Sequence, residues 1–473
     1  MTAPSTAIQR VTFGVELEML VAYLPINHPD PAANGEKRQV IRVPEQGEAV
    51  TPGDVVKKVF RDFLRSHEVL VSENGVEEAG PPSSYSVGTD SSVQEKRFTD
   101  YRWQGIEIRS PALHVEAGSF DDIKRVINLL RNNFRLRLNE TTGLHVHVGL
   151  GAHPLPPRAI RRLSQFLWCA DGILSQLHPP ERILSRYSPS IRHSSYLGQG
   201  DVDHWRLAEE NWGGIRRYLG LNPDSSPPQL EDQENPAEVS SRLAVFEQDT
   251  NSFPALNSVS DSLRLSRLPA IRAHPFEDEA ARQRHFNKTT VELGRLTRRE
   301  FLAREGVRVS ILDGLRILSQ PAMYANTTRA AHQLTGKFGP RLNYNLNAYN
   351  FQRTADVPLR MTIEFREAAG SLNPSWVVAW ARICSRIVEF CLEAKEDTFV
   401  DLLMLVLEAE LAFEASGESH FDIIDLLNDL SLIEEANYVE KKILRGNKNA
   451  FWFPCVLDEA ITGEILVAPE GEE

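Results

Sequence analysis

The feature that most constrains the fold is a pair of ionisable residues that recurs in four short apolar segments. In each pair one apolar residue separates the two members. The pairs are Glu16 with Glu18, Glu107 with Arg109, His145 with His147, and Glu364 with Arg366. Because side chains alternate between the two faces of a β-strand, residues two apart point the same way. Each segment is therefore predicted to be a strand with two ionisable groups on one face and apolar groups on the other.

Helical stretches separate these strands along the chain. Apolar residues at helical spacing predict helices over residues 54–66, from Ser119 onward, over 156–177, over 374–392 and through much of 397–445. Strands are predicted over residues 11–23, 85–94, 105–110, 143–150, 341–349 and 359–367, with a long loop over 25–52. Because one face of each strand is polar, an antiparallel sheet covered by helices on its other face fits best. We therefore expect an α+β fold.

The chain of 473 residues is long enough for one large or two ordinary domains. We expect one main domain over residues 1–395, interrupted around residues 179–310 by an insertion of helices and loops. A segment rich in proline, serine and acidic residues at 221–241 suits such an insertion. A helical C-terminal extension is expected over residues 396–473.

Charge and cysteine content narrow the functional class. The formal net charge of −13 argues against nucleic acid as the main partner. No run reaches the roughly 18 apolar residues of a membrane helix, and residues 1–10 lack the apolar core of a signal peptide. The four cysteines form no CxxC pair, so we expect free thiols in a reducing compartment, the cytoplasm.

If the four strands belong to one sheet, their ionisable pairs form a single polar site. The pairs then bring four carboxylates, two imidazoles and two guanidinium groups to one surface, where the carboxylates repel one another unless cations are present. Oxygen-rich sites with some imidazole suit Mg²⁺ or Mn²⁺, and arginines beside such ions suit phosphoryl transfer. Any one pair alone also fits an ordinary solvated strand face, so the fourfold recurrence carries the prediction.

Four motifs resemble those of the amidoligases, within the superfamily of glutamine synthetase and glutamate–cysteine ligase. Phe-Gly-Val-Glu-Leu-Glu at 13–18 resembles their first strand, and Gly-Leu-His-Val-His-Val-Gly at 143–149 resembles their histidine strand. Asp90-Ser-Ser-Val, followed by Gly-Ile-Glu-Ile-Arg-Ser-Pro at 105–111, is similar to a further strand pair. Thr-Ile-Glu-Phe-Arg at 362–366 and the later Asn-Pro turn resemble the Glu-x-Arg strand.

The resemblance implies a glutamine-synthetase-like fold, a curved antiparallel sheet that forms a funnel backed by helices. It also implies an ATP- and Mg²⁺-dependent (or Mn²⁺-dependent) enzyme that joins a carboxylate to an amine or ammonia. ATP would phosphorylate the carboxylate, and the amine would then displace phosphate from the acyl phosphate. The substrates would be an amino acid, a peptide or a small metabolite, and the assembly could be oligomeric.

Residue roles follow from the same resemblance. The expected metal ligands are Glu16, Glu18, Glu107, His145 and Glu364. His147 would support that site or contact a phosphate, and Arg366 would stabilise the transferring γ-phosphoryl group. Further candidates for phosphate contact are Arg341, Arg353 and Arg360. For the remaining candidates a structural role is an open alternative. Asp90 would orient the amine or cap a turn, and Arg109 would bind the substrate carboxylate or pair with a glutamate. Asn345 and Asn347 would face the substrate or stabilise the fold.

Two other functions fit parts of the pattern. A His-x-His strand near carboxylates also occurs in Zn²⁺ or Fe²⁺ enzymes, although the paired arginines have no task in a zinc hydrolase. A non-catalytic nucleotide- or metabolite-binding protein of the same fold is the second alternative. The pattern identifies neither the carboxylate nor the amine.

Overall fold

The computed structural model describes residues 10–32, 36–45, 50–73, 81–95, 99–178, 182, 185, 187–201, 302, 307–320, 327–336, 341–349, 361–416 and 419–440. Within these ranges nine strands form one sheet. The strands are β1 (Thr12–Pro25), β2 (Ile41–Val43), β3 (Ser86–Thr89), β4 (Arg102–Arg109), β5 (Leu113–His114), β6 (Leu136–Arg137), β7 (Gly143–Gly149), β8 (Tyr344–Asn345) and β9 (Thr362–Ala369).

The sheet is built around its longest strand, β1. The order is β3-β4-β1-β7-β9-β8, and the short strands β2, β5 and β6 also pair with β1. Every pairing is antiparallel except that between β1 and β2. The four strands that carry the paired ionisable residues, β4, β1, β7 and β9, are consecutive neighbours. The predicted antiparallel sheet of an α+β fold is thus confirmed.

Ten α-helices accompany the sheet in the described ranges. They are α1 (Pro52–Ser66), α2 (Ala117–Asn133), α3 (Pro157–Leu174), α4 (Ile191–Ser194), α5 (Ile311–Leu318), α6 (Thr327–Gln333), α7 (Pro374–Glu393), α8 (Glu396–Ser416), α9 (Ile423–Asp429) and α10 (Ile433–Val439). The Asn-Pro turn begins α7: the Asn373 side chain accepts a hydrogen bond from the Trp376 backbone N–H, and Pro374 occupies the first helical position. That cap fixes the direction in which α7 leaves β9.

Helices cover the apolar face of the sheet. Leu17, Ile108, Val146 and Phe365, which alternate with the ionisable residues, are each at most 3% exposed and lie in the core. Helix α7 packs against β1, β7 and α2, and it also packs against α3. Helices α5, α6 and α8 pack around α3. This layering leaves the other face of the central strands to the ionisable side chains.

A bulge interrupts the pairing of β7 with β9. Leu144 pairs with Ala368, whereas Val146 pairs with Phe365. Two residues of β9, Arg366 and Glu367, therefore stand opposite one residue of β7. A bulge of this kind re-aims side chains locally and is common beside functional sites. Glu367 itself is fully buried, and its Oε2 accepts a 2.8 Å hydrogen bond from the Tyr344 hydroxyl, a contact that strand alternation alone does not predict.

Most predicted elements are present, with four corrections. The strand predicted over 85–94 ends at Thr89, because the Asp90 side chain accepts a hydrogen bond from the Ser92 N–H and so caps a turn there. The predicted loop over 25–52 contains strand β2. Helix α2 begins at Ala117 rather than at Ser119, because the Phe120 N–H already bonds to the Glu116 carbonyl. Residues 341–349 form only the two-residue β8 and a 3-10 turn at Asn347–Tyr349. There the Asn345 side chain bonds to the Asn347 N–H, and such local bonds compete with strand pairing.

The remaining expectations concern thiols and membranes. Cys169, Cys384 and Cys391 are buried free thiols, as predicted, and Cys455 lies outside the described residues. No helix in the described ranges has both the length and the apolar character needed to cross a bilayer.

Candidate active site

The register of the central strands brings the four ionisable pairs together. Glu16 on β1 stands opposite Arg109 on β4 and His145 on β7. On the same face, the neighbouring paired positions are Glu18 with Glu107, and His147 with Glu364. The eight residues predicted from sequence therefore occupy one polar surface. All are buried or half-buried, so the surface is a recessed site and not an ordinary solvated strand face.

One triad within this surface has the composition of a metal site. Ligand atoms of Glu16, His147 and Glu364 all lie within 4.8 Å of one another. His147 Nε2 is 3.1 Å from Glu16 Oε1 and 3.8 Å from Glu364 Oε1. Its other ring nitrogen, Nδ1, lies 3.1 Å from the Thr362 hydroxyl. Thr362 thus orients the imidazole so that Nε2 points towards the two carboxylates.

The same triad shows a direct sign of fit to a cation. His147 Nε2 is buried and makes no hydrogen bond of ordinary geometry to the described residues, although it faces Glu16 Oε1 at the ion-pair distance of 3.1 Å. A buried imidazole nitrogen that faces two carboxylates without a well-formed hydrogen bond is placed as a metal ligand would be. Carboxylate oxygens together with an imidazole nitrogen form a donor set that suits Mg²⁺ or Mn²⁺. The residues present therefore fit the predicted metal.

Glu18 and His145 form a second, deeper group. Glu18 Oε2 accepts a hydrogen bond of 2.6 Å from the Gly143 backbone N–H, while Oε1 lies 3.6 Å from His145 Nε2. His145 Nδ1 lies 3.3 Å from Glu16 Oε2 and 3.7 Å from Glu364 Oε1. His145 therefore lies between carboxylates of β1 and β9. The side chain is 2% exposed, which places it on the floor of the site.

Two arginines partly neutralise these carboxylates. Arg109 bonds to Glu107 with Nη2–Oε2 at 2.7 Å and lies 3.2 Å from Glu16. Its side chain is 40% exposed, so it stands at the mouth of the site. Arg366 donates to Glu364 and lies 3.4 Å from His145 Nδ1, with its side chain only 11% exposed. One guanidinium thus lies at the solvent edge and the other lies deeper.

Electrostatics divide the carboxylates into two classes. Burial opposes ionisation of Glu16 and Glu364, but neighbouring positive charge more than offsets this effect. His147 and His145 act on Glu16, and His147, Arg366 and His145 act on Glu364. The pKa of Glu16 is therefore held well below its usual value, and that of Glu364 falls to about 2. Burial and repulsion by Glu16 raise the pKa of Glu107 to about 9 despite Arg109. In the absence of a bound cation, this environment favours the protonated form of Glu107 and the ionised forms of Glu16 and Glu364.

His147 has the complementary shift. Burial alone would lower the pKa of its imidazole, but the charges of Glu16 and Glu364 outweigh that effect and raise it. A cation placed among the three residues would take over this electrostatic role.

The structure places the other predicted residues less centrally. Asp90 Oδ1 accepts hydrogen bonds of 2.7 Å from both the backbone N–H and the hydroxyl of Ser92, so this side chain caps a turn. The turn is nevertheless close: a Cβ on Gly105, two residues before Glu107, would lie 2.5 Å from the Val93 carbonyl oxygen. Residues 90–95 therefore cover the sheet beside the site.

The remaining predicted residues lie near the edge strand β8 or outside the described residues. Arg341 is exposed. Asn345 donates a 2.6 Å hydrogen bond to Glu364 Oε2, in agreement with its structural alternative, and Asn347 is half-buried in the 3-10 turn. Arg353 and Arg360 lie outside the described residues.

Sequence reasoning missed three contributors to this site. Thr362 orients His147, and Gly143 supplies both an N–H and the space that Glu18 and His145 require. Both are the first residues of quoted motifs, at 143–149 and 362–366, so the motifs themselves contained the signal although no role was assigned to these positions. Arg182 also reaches the site: its Nη2 donates a 3.0 Å hydrogen bond to the Arg366 carbonyl. It belongs to the segment over 179–310, which showed no recognisable motif.

Comparison with known proteins bears on this geometry. No curated protein matches the chain. Residues 9–237 match the model of a protein family described as "Putative amidoligase enzyme". This range contains β1, β4 and β7, and hence three of the four paired strands. The family match over residues 9–237 confirms the predicted resemblance of this chain to the amidoligases.

Proposed function

We propose that the protein is an ADP-forming ligase that uses ATP to join a carboxylate to an amine or ammonia, on a glutamine-synthetase-like fold. The observation that carries this proposal is the convergence of Glu16, His147 and Glu364 within 4.8 Å, with Arg366 in contact with Glu364. A ligase of this kind needs a cation-binding carboxylate cluster and a guanidinium for the phosphoryl group in one place.

The proposed metal ligands come from the four neighbouring strands β4, β1, β7 and β9. Glu16, Glu18, Glu107, His145 and Glu364 would hold two or three Mg²⁺ or Mn²⁺ ions, with His147 beside them. When bound, these ions would neutralise the triphosphate and polarise its γ-phosphoryl group. Glu107 is the proposed ligand whose protonation state would change on metal binding. Because its pKa is raised, it would have to lose a proton before it could coordinate the metal.

Arg366 is the proposed electrostatic catalyst. In this structure its guanidinium neutralises Glu364. A cation at Glu364 would compete for the same oxygen and leave the guanidinium available to the γ-phosphoryl group. A planar fork of N–H donors matches the oxygens of a transferring phosphoryl group better than an ammonium does.

The proposed reaction has two balanced steps. An oxygen of the substrate carboxylate attacks the γ-phosphorus of ATP, the bond to the β-phosphate oxygen breaks, and ADP leaves. The amine nitrogen then attacks the carbonyl carbon of the acyl phosphate, inorganic phosphate leaves, and the nitrogen loses a proton. Arg109, which is 40% exposed at the mouth, is suited to hold the substrate carboxylate. Asp90, beside the covering turn 90–95, is the proposed group that orients the amine.

The enclosed site suits such an intermediate. An acyl phosphate must be kept from water until the amine arrives. His145, Glu18 and Glu364 are each at most 6% exposed, so the deep end of the site is already shielded from solvent. The buried free thiols Cys169, Cys384 and Cys391 support a cytoplasmic setting for this reaction.

The decisive experiment follows labelled oxygen. Purified protein is screened for ADP formation with Mg²⁺, ATP, amino acids and diamines, and products are identified by mass spectrometry. With ¹⁸O in the carboxylate of the active substrate, one labelled oxygen should appear in inorganic phosphate. AMP and pyrophosphate with label in AMP would instead indicate adenylation. Turnover without ATP, together with Zn²⁺ or Fe²⁺ in the purified protein, would contradict the proposal.

A further inference from the structure

Arg182 is a buried guanidinium on the floor of the site with most of its donors unused. The residue is 3% exposed. Its Nη2 donates to the Arg366 carbonyl at 3.0 Å and lies 3.5 Å from His145 Nε2. Its Nε and Nη1 are buried and have no hydrogen-bond partner among the described residues. Since Nε carries one N–H and Nη1 carries two, three charged donors lack an acceptor.

The negative charges of Glu18 and Glu367 oppose the lowering of the Arg182 pKa by burial, but neither carboxylate forms a close ion pair with this arginine. In the described part of the chain, no carboxylate oxygen lies within the 4.0 Å ion-pair distance of its guanidinium. Other buried arginines differ: Arg135 pairs with Asp30 at 2.6 Å and Arg137 with Glu95 at 2.5 Å. A buried charge with unsatisfied donors is unfavourable, and natural proteins keep one mainly where a ligand completes it.

The position of Arg182 ties it to the proposed reaction centre. A Cβ added to Gly143 would lie 2.5 Å from Arg182 Nη2, 2.6 Å from His145 Nε2 and 3.2 Å from Glu18 Oε2. The absence of a side chain at residue 143 is therefore what lets these three groups meet. Arg366 approaches the other ring nitrogen of His145, Nδ1, at 3.4 Å. The two guanidinium groups thus flank one imidazole.

We propose that Arg182 binds an oxyanion of the substrates, through the donors on Nε and Nη1 that the protein leaves unpaired. The chemistry is that of a phosphoryl or carboxylate oxygen, which accepts strong hydrogen bonds from guanidinium. Within the proposed function, on which this assignment rests, the anion is either the γ-phosphoryl group of ATP or the carboxylate that it phosphorylates. Arg182 would then be a substrate-binding residue supplied by the segment over 179–310.

Binding measurements test this without relying on turnover. The full-length protein with Mg²⁺ is titrated calorimetrically with ADP, a non-hydrolysable ATP analogue, inorganic phosphate and acetate. Arg182→Met removes the charge at similar volume, and Arg182→Lys keeps the charge but loses the fork. We expect the cognate anion to bind roughly 10- to 100-fold more weakly to Arg182→Met, as for a lost charge-assisted hydrogen bond, with Arg182→Lys intermediate.

The probes separate the two sources of the anion. Weaker binding of the ATP analogue and phosphate, with unchanged ADP and acetate, identifies the γ-phosphoryl group. Weaker binding of acetate alone identifies the carboxylate. Phosphate and acetate need no nucleotide site, so this arm can succeed even if the protein uses no ATP.

The matched control is Arg135→Met, which removes another buried arginine away from the site. It should lower the melting temperature by breaking the pair with Asp30, yet leave binding of all four probes unchanged. The proposal is overturned if both Arg182 variants bind every anion as the wild type does. The proposal is equally overturned if the wild type binds none of the four probes. It is also overturned if Arg182→Lys lowers the affinity for all four probes to the same extent, because a residue that only stabilises the fold would act in that way.

Discussion

Nδ1 of His145 lies 3.3 Å from Oε2 of Glu16, across the pairing of β7 with β1. On its other side Glu16 stands opposite Arg109 of β4, and its Oε1 lies 3.1 Å from His147. One carboxylate therefore contacts both partner strands of β1, and His147 links it to Glu364 on β9. Glu16 is the residue through which all four paired strands meet, and its chemistry is the first to test.

Replacement of Glu16 by glutamine should remove a central metal ligand while preserving shape. We expect Mn²⁺ or Mg²⁺ binding to weaken by at least roughly 10-fold and activity to fall below detection, while the circular dichroism spectrum is retained. Calorimetric titration with Mn²⁺ measures the first effect. Glu116→Gln makes the same chemical change at an exposed position before α2 and should bind Mn²⁺ normally. If Glu16→Gln binds Mn²⁺ with unchanged affinity, this cluster is not the metal site.

Arg366→Lys should separate catalysis from nucleotide binding. The charge remains, but the fork that spans phosphoryl oxygens is lost, so kcat should fall by roughly 100- to 1,000-fold, and the Kd of the ATP analogue should change much less. Steady-state ADP release and calorimetry give the two quantities. Arg382→Lys, where the arginine pairs with Glu434 and Glu435 away from the sheet, serves as control. Near-normal turnover would reduce Arg366 to an ion-pair partner of Glu364.

Gly143→Ala should damage the site more than the fold. The added Cβ would lie 2.5 Å from Arg182 Nη2 and 2.6 Å from His145 Nε2, so both groups must move. We expect at least roughly a 100-fold loss of activity, as for small displacements of reacting groups, with a stability loss of about 1–3 kcal/mol. Gly118→Ala is the matched control, because a Cβ there meets no atom within 4 Å. Full activity in Gly143→Ala would contradict the tight convergence around this glycine.

The raised pKa of Glu107 predicts a pH dependence of stability in metal-free protein. Between the ordinary value near 4.5 and the folded pKa of about 9, the folded state binds more protons than the unfolded state. The free energy of unfolding should therefore fall as pH rises through this window, by at most about 1.4 kcal/mol per pH unit for one proton.

Urea denaturation between pH 5.5 and 8.5, in buffer with a chelator, checks this dependence. Glu107→Gln should flatten the curve and be more stable than the wild type at pH 8.5. A residual slope from His147 is expected, since its raised pKa also means stability that is lost as pH rises. The lowered pKa values of Glu16 and Glu364 act elsewhere, because their contribution is lost only as pH falls below about 4.5. Identical slopes in wild type and Glu107→Gln would refute the assignment.

The sequence by itself determined the strands that carry the site and the face on which each ionisable pair lies. The reason is local: side chains alternate along any β-strand, so Glu16 with Glu18, or His145 with His147, must share a face once the segment is extended. The apolar residues between them then require burial on the opposite face, and helical spacing in 374–392 indicated what covers it. These inferences need no knowledge of which strands are neighbours.

Tertiary structure alone decided how the pairs meet. The register that sets Glu16 opposite His145, and the bulge that places Arg366 and Glu367 against one residue, depend on pairings between segments more than 100 residues apart. Arg182 enters the site from a segment without periodic pattern, and only the folded chain shows that its Nε and Nη1 donors are buried without a partner among the described residues. The raised pKa of Glu107 and the lowered pKa of Glu364 likewise arise from burial and neighbouring charge. Alternation is a property of one strand, whereas desolvation, register and charge proximity are properties of the packed sheet.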